Sequence, residues 1–139
     1  MRIVTNALAG VFLVGMCVGA AAQSGRPALT ITGHIQGYSC MSLNLTHEQL
    51  MVFENLPPIF SAPDVKSQKI GVASASVIVA SPMQVHNGFA RVLHMDGRPG
   101  WMKADMLKPW YNVNTPSTRC TPAMMSNGRP GFDYTRPGG

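Results

Sequence analysis

Cysteine and histidine are the residues of this sequence that could perform covalent chemistry. A thiol hydrolase needs a cysteine nucleophile next to a histidine base, and Cys40 could pair with His34, His47 or His94. A small secreted enzyme using Cys40 and one of these histidines is therefore the alternative interpretation. We favour a non-catalytic protein, because a disulfide involving Cys40 would remove its thiolate.

Metal and acid–base sites find less support in the residue pattern. Zinc needs three or four converging ligands, and His34, Cys40, His47 and Cys120 lack the short spacing of a compact ligand pair. The six carboxylates are dispersed along the chain, which does not favour paired general acid–base catalysis. We predict no catalytic residue, no metal and no cofactor.

The start of the chain has the pattern of a secretory signal. Arg2 supplies a positive charge, Ala7 to Val18 an apolar stretch, and Ala20-Ala21-Ala22 a small-residue cleavage site. We predict a signal peptide over residues 1–22. An uncleaved anchor and a lipoprotein attached at Cys17 are the alternatives. Cleavage would leave a periplasmic or secreted protein with no integral membrane span.

Export determines how the remaining cysteines are interpreted. Cys17 leaves with the signal, so Cys40 and Cys120 remain as a pair in a compartment that permits disulfides. We predict a Cys40–Cys120 disulfide, with two buried free thiols as the alternative. Closing so large a loop stabilises a fold by about 4 to 5 kcal/mol in the chain-entropy model.

The charge distribution bears on the class of partner. The chain has a formal net charge of +5, of which one unit is lost with Arg2. Its positive residues are scattered, whereas nucleic-acid binders concentrate them on one stripe or helix. We therefore predict no nucleic-acid partner. We favour a solvated surface, with attraction to an anionic wall polymer or phospholipid as the alternative.

Turn residues and apolar patterns predict short strands and one short helix. Thr46 and Gln49 have the spacing of a capping box, which predicts about two helical turns with Leu50, Met51 and Phe53 as their apolar residues. Further along we expect a strand covered on two sides at Val77–Val79, a hairpin over 89–103, a single helical or 3-10 turn at 104–107 and an edge strand at 108–111.

A series of motifs between residues 58 and 110 has the order of a known domain. Gly88-Phe89 with Val92 is followed, after one hairpin, by Gly100-Trp101-Met102 and then Leu107. Ile59 to Pro63, Gly71 and Val77 to Val79 precede them. This stretch resembles a bacterial SH3-like (SH3b) domain. The resemblance implies an all-β, small, partly open five-strand barrel and a non-catalytic role, commonly attachment to peptidoglycan or to a protein partner.

The predicted organisation has four parts. A signal peptide (1–22) precedes an N-terminal extension with one short helix (23–57), the SH3-like barrel (58–111) and an irregular C-terminal tail (112–139). The tail is expected to be tethered at Cys120 and disordered over its final six residues. Neither the extension nor the tail belongs to the minimal SH3b pattern.

Strand alternation selects candidate binding residues. It places Ala90, Val92 and Met102 towards the core and turns Phe89 and Trp101 outward. We predict an exposed aromatic docking surface, with two arginines adding attraction for an anionic partner, formed by Phe60, Phe89, Arg91, Arg98, Trp101 and Trp110. The alternative is that the N-terminal segment or the tail covers the aromatic rings. The sequence thus predicts a binding or adaptor module that acts in the cell envelope on peptidoglycan or an envelope protein.

Overall fold

The computed structural model describes residues 25–136, together with Gly10 and Gly15. The predicted signal peptide and its cleavage site lie outside the described residues, apart from these two glycines. In residues 25–136 no helix is both long and apolar enough to cross a membrane.

Residues 25–136 form two antiparallel β-sheets and very little helix, which confirms the all-β class. In chain order the strands are β1 (Ile31–His34), β2 (Tyr38–Leu43), β3 (Pro58–Phe60), β4 (Lys69–Val72), β5 (Ser76–Ala80), β6 (Val85–His86), β7 (Phe89–Leu93), β8 (Pro99–Lys103), β9 (Leu107–Pro109), β10 (Arg119–Met125) and β11 (Pro130–Thr135). One helical turn, α1 (His47–Leu50), and two 3-10 turns, Phe53–Asn55 and Ala104–Met106, complete the fold.

The two sheets differ in size. The large sheet has the order β4-β3-β8-β7-β5-β2-β9, and β6 pairs with β7 beside this path. The small sheet has the order β1-β10-β11. The expected hairpin is present as β7 and β8, followed by the expected turn, which is of the 3-10 type, and by β9 at the edge of the large sheet.

The main core lies on one face of the large sheet. Strand alternation predicted that Ala90, Val92 and Met102 face inward, and all three are fully buried there. The other buried members are Leu43, Ile59, Ala73, Val77 and Val79. Burying these apolar side chains supplies the hydrophobic contribution that holds the large sheet together.

The predicted extension contributes a strand to the large sheet. β2, which comes from residues 38–43, lies between β5 and β9, and its Leu43 is buried in the main core. The boundary predicted between residues 57 and 58 therefore falls inside one continuous sheet. The pairing of β2 with β9 joins parts of the chain that local patterns do not connect.

β5 is covered on both faces, as its continuous apolar sequence predicts. Val77 and Val79 point into the main core, so Ile78 and Ala80 point to the opposite face, where they are also buried. Cys40 of β2 lies directly opposite Ile78 and shares this second face. Since Cys40 is bonded to Cys120 of β10, the small sheet lies on this side of β5.

The prediction of an irregular tail is wrong for residues 119–125 and 130–135, which form the hairpin β10 and β11. Asn127-Gly128 supplies the turn: Gly128 has a φ of 78°, and the Asn127 side chain accepts a hydrogen bond from the Arg129 N–H. The tail can be ordered with few large apolar residues because β1 pairs with β10 and the disulfide anchors it.

The helix begins where the capping box predicts it but is shorter than expected. The Thr46 hydroxyl accepts from the Gln49 N–H, and the Gln49 side chain accepts from the Thr46 N–H. Only one turn follows before the chain tightens into the 3-10 turn Phe53–Asn55. Met51 and Phe53 are exposed, so they do not supply the apolar face that was expected of them.

Candidate binding groove

Three of the four aromatic residues predicted to form an exposed surface are buried. Phe60, Phe89 and Trp101 retain 8%, 6% and 9% of their exposure and form an outer aromatic cluster. The Phe60 and Phe89 rings meet edge to face with their centroids 5.8 Å apart. Strand alternation correctly turned Phe89 and Trp101 away from the main core, but the expectation of exposure is wrong.

The outer aromatic cluster is covered by neighbouring segments. β6 pairs with β7 so that His86 lies opposite Phe89, and the His86 ring meets the Trp101 ring edge-on at 5.3 Å. The Asn87 side chain donates a hydrogen bond to the Pro63 carbonyl, which ties the turn after β6 to the loop after β3. These contacts leave little of the cluster open to a ligand.

Both predicted arginines contact groups of the protein itself. The Arg91 guanidinium lies 5.2 Å from the centroid of the Trp101 ring, a cation–π geometry. Arg98 forms an ion pair with Asp96 and donates to the Ile70 carbonyl. The hydrogen bonds from Arg98 hold the pKa of the Asp96 carboxyl well below its ordinary value, and Asp96 raises the pKa of Arg98. Arg98 thus fastens the β7–β8 turn to β4.

Trp110 lines an open groove, and Phe60 lines a different, smaller hollow. The Trp110 indole N–H donates to the Ser76 hydroxyl at 3.2 Å, and the Trp110 ring stacks on Tyr134 with centroids 5.7 Å apart and planes 24° apart. Tyr134 is 53% exposed. We call the groove at Trp110 the aromatic groove; it encloses about 540 Å³ and is lined by His47, Ser76, Trp110, Tyr111, Asn112, Val113, Asn114 and Tyr134.

Both sheets position the rings of the aromatic groove. Phe132 and Tyr134 are two residues apart on β11, so they share one face, with ring centroids 6.0 Å apart and planes 21° apart. Trp110 follows β9 of the large sheet, and Ser76 begins β5. Three neighbouring rings therefore form a row across the junction of the two sheets.

The groove continues past His47 onto a second hollow of about 350 Å³, which shares His47, Ser76, Tyr111 and Val113 with it. Tyr111 and Val113 are exposed. The Asn112 side chain accepts from the N–H groups of Asn114 and Thr115, which fixes the loop carrying these residues. The result is an open, aromatic surface with polar groups along its edge.

Sequence analysis identified Trp110 but missed His47, Tyr111, Phe132 and Tyr134. The available signal was the alternation Phe132-Asp133-Tyr134 beside the Asn127-Gly128 turn, which is typical of a hairpin with one aromatic face. Interpreting residues 112–139 as irregular hid this signal. His47 was considered only as a base or a metal ligand.

The covalent chemistry considered for Cys40 is not available in this structure. Cys40 is bonded to Cys120, as predicted, and therefore carries no thiolate. His34 instead lies 2.8 Å from the Asp133 carboxylate. Among residues 25–136, no group of three or more histidine, cysteine, aspartate or glutamate side chains is placed to hold a metal ion.

Comparisons of the chain with protein-family models, with curated proteins and with solved structures found no match. The functional conclusion therefore depends on the geometry of the aromatic groove.

Proposed function

We propose that this protein is an exported, non-catalytic binding module of the cell envelope, and that its ligand binds in the aromatic groove. Trp110 and Tyr134 carry this proposal, because their rings line an open groove and aromatic rings at such a surface are suited to stacking against a ligand. Phe132 extends the row of rings behind Tyr134. The disulfide is compatible with a periplasmic or secreted location.

An SH3-like barrel is part of the same proposal. Five neighbouring strands in the order β9-β2-β5-β7-β8 support the barrel. The 3-10 turn Ala104–Met106, which connects β8 to β9, supports it as well. The resemblance places a terminal turn at this position. In such a barrel β2 would be one of the five strands, although it precedes the stretch 58–110 that resembles the SH3b domain.

Peptidoglycan is the ligand that we propose. The C–H faces of sugar rings stack on tyrosine and tryptophan, while His47 and Asn114 at the edge of the aromatic groove offer hydrogen-bonding groups to hydroxyls and amides. The net positive charge, which stays positive after the unit carried by Arg2 is removed from the +5 of the full chain, favours approach to an anionic wall polymer. The groove is open to solvent, which suits a polymer that extends beyond it.

Co-sedimentation with purified peptidoglycan sacculi tests the proposal. Tyr134→Ala and Tyr111→Ala should each weaken binding about tenfold, equivalent to ~1.4 kcal/mol, if these rings contact the glycan. Phe53→Ala is the matched control, since Phe53 is 65% exposed and lies outside the groove. Binding that is unchanged in both tyrosine variants, or equally weakened in the control, would refute the assignment. Retention by an envelope protein but not by sacculi would exclude peptidoglycan.

A further inference from the structure

The small-sheet half of the aromatic groove is fixed at a covalent bond. Tyr134 lies directly opposite Cys120 in the register of β10 and β11. Cys120 is bonded to Cys40 on β2 of the large sheet. Tyr134 therefore lies beside the residue at which the small sheet is covalently attached to the large sheet.

The large-sheet half of the aromatic groove also lies close to the disulfide, as the pairing of β2 with β5 shows. Cys40 pairs with Ile78, and two residues further along the same face Ser42 pairs with Ser76. Ser76 accepts the hydrogen bond from the Trp110 indole. The disulfide thus lies one alternation step from the hydroxyl that orients Trp110, and directly beside the strand position of Tyr134.

Few non-covalent contacts cross the aromatic groove itself. The hydrogen bonds of β10 and β11 run to each other and to β1, within the small sheet. Across the groove, Trp110 and Tyr134 meet only through stacked rings, of which Tyr134 is half exposed. A stack of this kind is weak compared with a covalent bond. β10 also packs against β2, and its Pro122 and Ala123 are fully buried. Without the disulfide, this packing and the ring stack are what hold the hairpin β10–β11 against the large sheet, so the hairpin can move away from Trp110 while its own strand pairing persists.

We infer that the Cys40–Cys120 disulfide controls ligand binding: the aromatic groove is formed in the disulfide state and opens in the dithiol state. The ligand is that of the proposed function, on which this part of the inference rests. In the redox step a thiolate of a dithiol reductant attacks one sulfur and the Cys40–Cys120 bond breaks. Two electrons pass to the cysteine pair, each sulfur takes up a proton, and the reductant leaves as its own disulfide.

The indole N–H signals of the two tryptophans give a readout that needs no ligand. In a proton–nitrogen correlation spectrum of the exported protein, treatment with dithiothreitol should shift the Trp110 signal, because its stack on Tyr134 is lost. The Trp101 signal, from the outer aromatic cluster, should stay in place. Sacculi binding should fall about tenfold, the factor expected if the hairpin stays docked about one tenth of the time.

The Cys40→Ala/Cys120→Ala chain is the companion variant. It should show the shifted Trp110 signal and weak binding from the start, with no further response to dithiothreitol. An unmoved Trp110 signal after reduction, or loss of both indole signals in the reduced protein and in the variant, would overturn the inference. If the oxidised protein does not bind sacculi, the proposed function fails, but the Trp110 signal still decides whether the disulfide forms the groove.

Discussion

The outer aromatic cluster and the aromatic groove contain similar residues in opposite situations. Trp101 and Trp110 both lie outside the main core, and each has a ring of another residue beside it. Trp101 is covered by β6 and by Arg91, whereas Tyr134 beside Trp110 is half exposed. The direction in which a strand turns an aromatic side chain therefore does not decide whether a ligand can reach it. The segments packed over the ring decide that.

Truncating a ring in each region gives the largest expected contrast. Trp101→Ala removes a buried ring and should lower the free energy of unfolding by ~3 to 5 kcal/mol. Tyr134→Ala removes a half-exposed ring and should cost less than about 1 kcal/mol. Urea unfolding of both variants checks this difference. Equal losses would mean that the two regions are packed alike.

Gly100→Ala should disturb the packing of β3 against β8, the strands that carry Phe60 and Trp101 of the outer aromatic cluster. A methyl group at position 100 would lie 2.5 Å from the Ile59 Cγ2 and 2.9 Å from the Phe60 carbonyl oxygen, so β3 must shift away from β8. We expect a loss of ~1 to 3 kcal/mol from overpacking. Gly33→Ala, where a methyl group meets no atom within 4 Å, is the control. A wild-type melting temperature for G100A would contradict the close packing of β3 against β8.

Arg91→Met separates the charge over Trp101 from the apolar stem that carries it. Losing the cation–π contact should cost ~0.5 to 1 kcal/mol, while Met keeps much of the cover over the ring. Arg91→Ala should cost more and should make Trp101 more accessible to acrylamide quenching. If the two variants quench alike, the stem of Arg91 does not shield the ring.

The Asp96–Arg98 ion pair, in the turn between β7 and β8, predicts a small dependence of the protein's stability on pH. Its hydrogen bonds lower the folded-state pKa of Asp96, so its contribution to stability is present above the ordinary carboxyl pKa of about 3.9. This contribution is lost as the pH falls through the lower folded value. Because the pair is partly exposed and screened by solvent, its contribution should be small.

Thermal melts of wild type and Asp96→Asn at pH 7 and pH 2 measure this contribution. The two proteins should differ at pH 7, and the difference should be smaller at pH 2, which lies below the ordinary carboxyl pKa. A difference that persists unchanged at pH 2 would assign the effect of the substitution to something other than the lost charge of Asp96.

Local signals predicted local features of this protein well. The capping box placed the start of α1, two-residue alternation placed Ala90, Val92 and Met102 in the core, and Cys40 paired with Cys120 once Cys17 was assigned to the signal. Each of these depends on neighbouring residues or on simple elimination.

The features that sequence analysis missed depend on distant pairings. The tail is ordered because β10 finds β1, and the large sheet includes residues 38–43 because β2 pairs with both β5 and β9. Phe89 is covered because β6 folds back beside β7. None of these partners is indicated by the composition or periodicity of the segment itself, so the exposed aromatic residues were sought at the wrong positions.

The pairing of β1 with β10 also constrains how the protein reaches its native state. Thr30 and Ser126 hydrogen-bond across 96 residues, and the disulfide spans 80. If the chain is exported from its N-terminus, β1 emerges long before β10, its only partner strand among the described residues. Until β10 arrives, the backbone N–H and C=O groups of β1 have no strand to pair with. Such long-range closure slows folding. The small sheet should therefore be the last part of the molecule to assemble, and its assembly the stage of folding most exposed to aggregation.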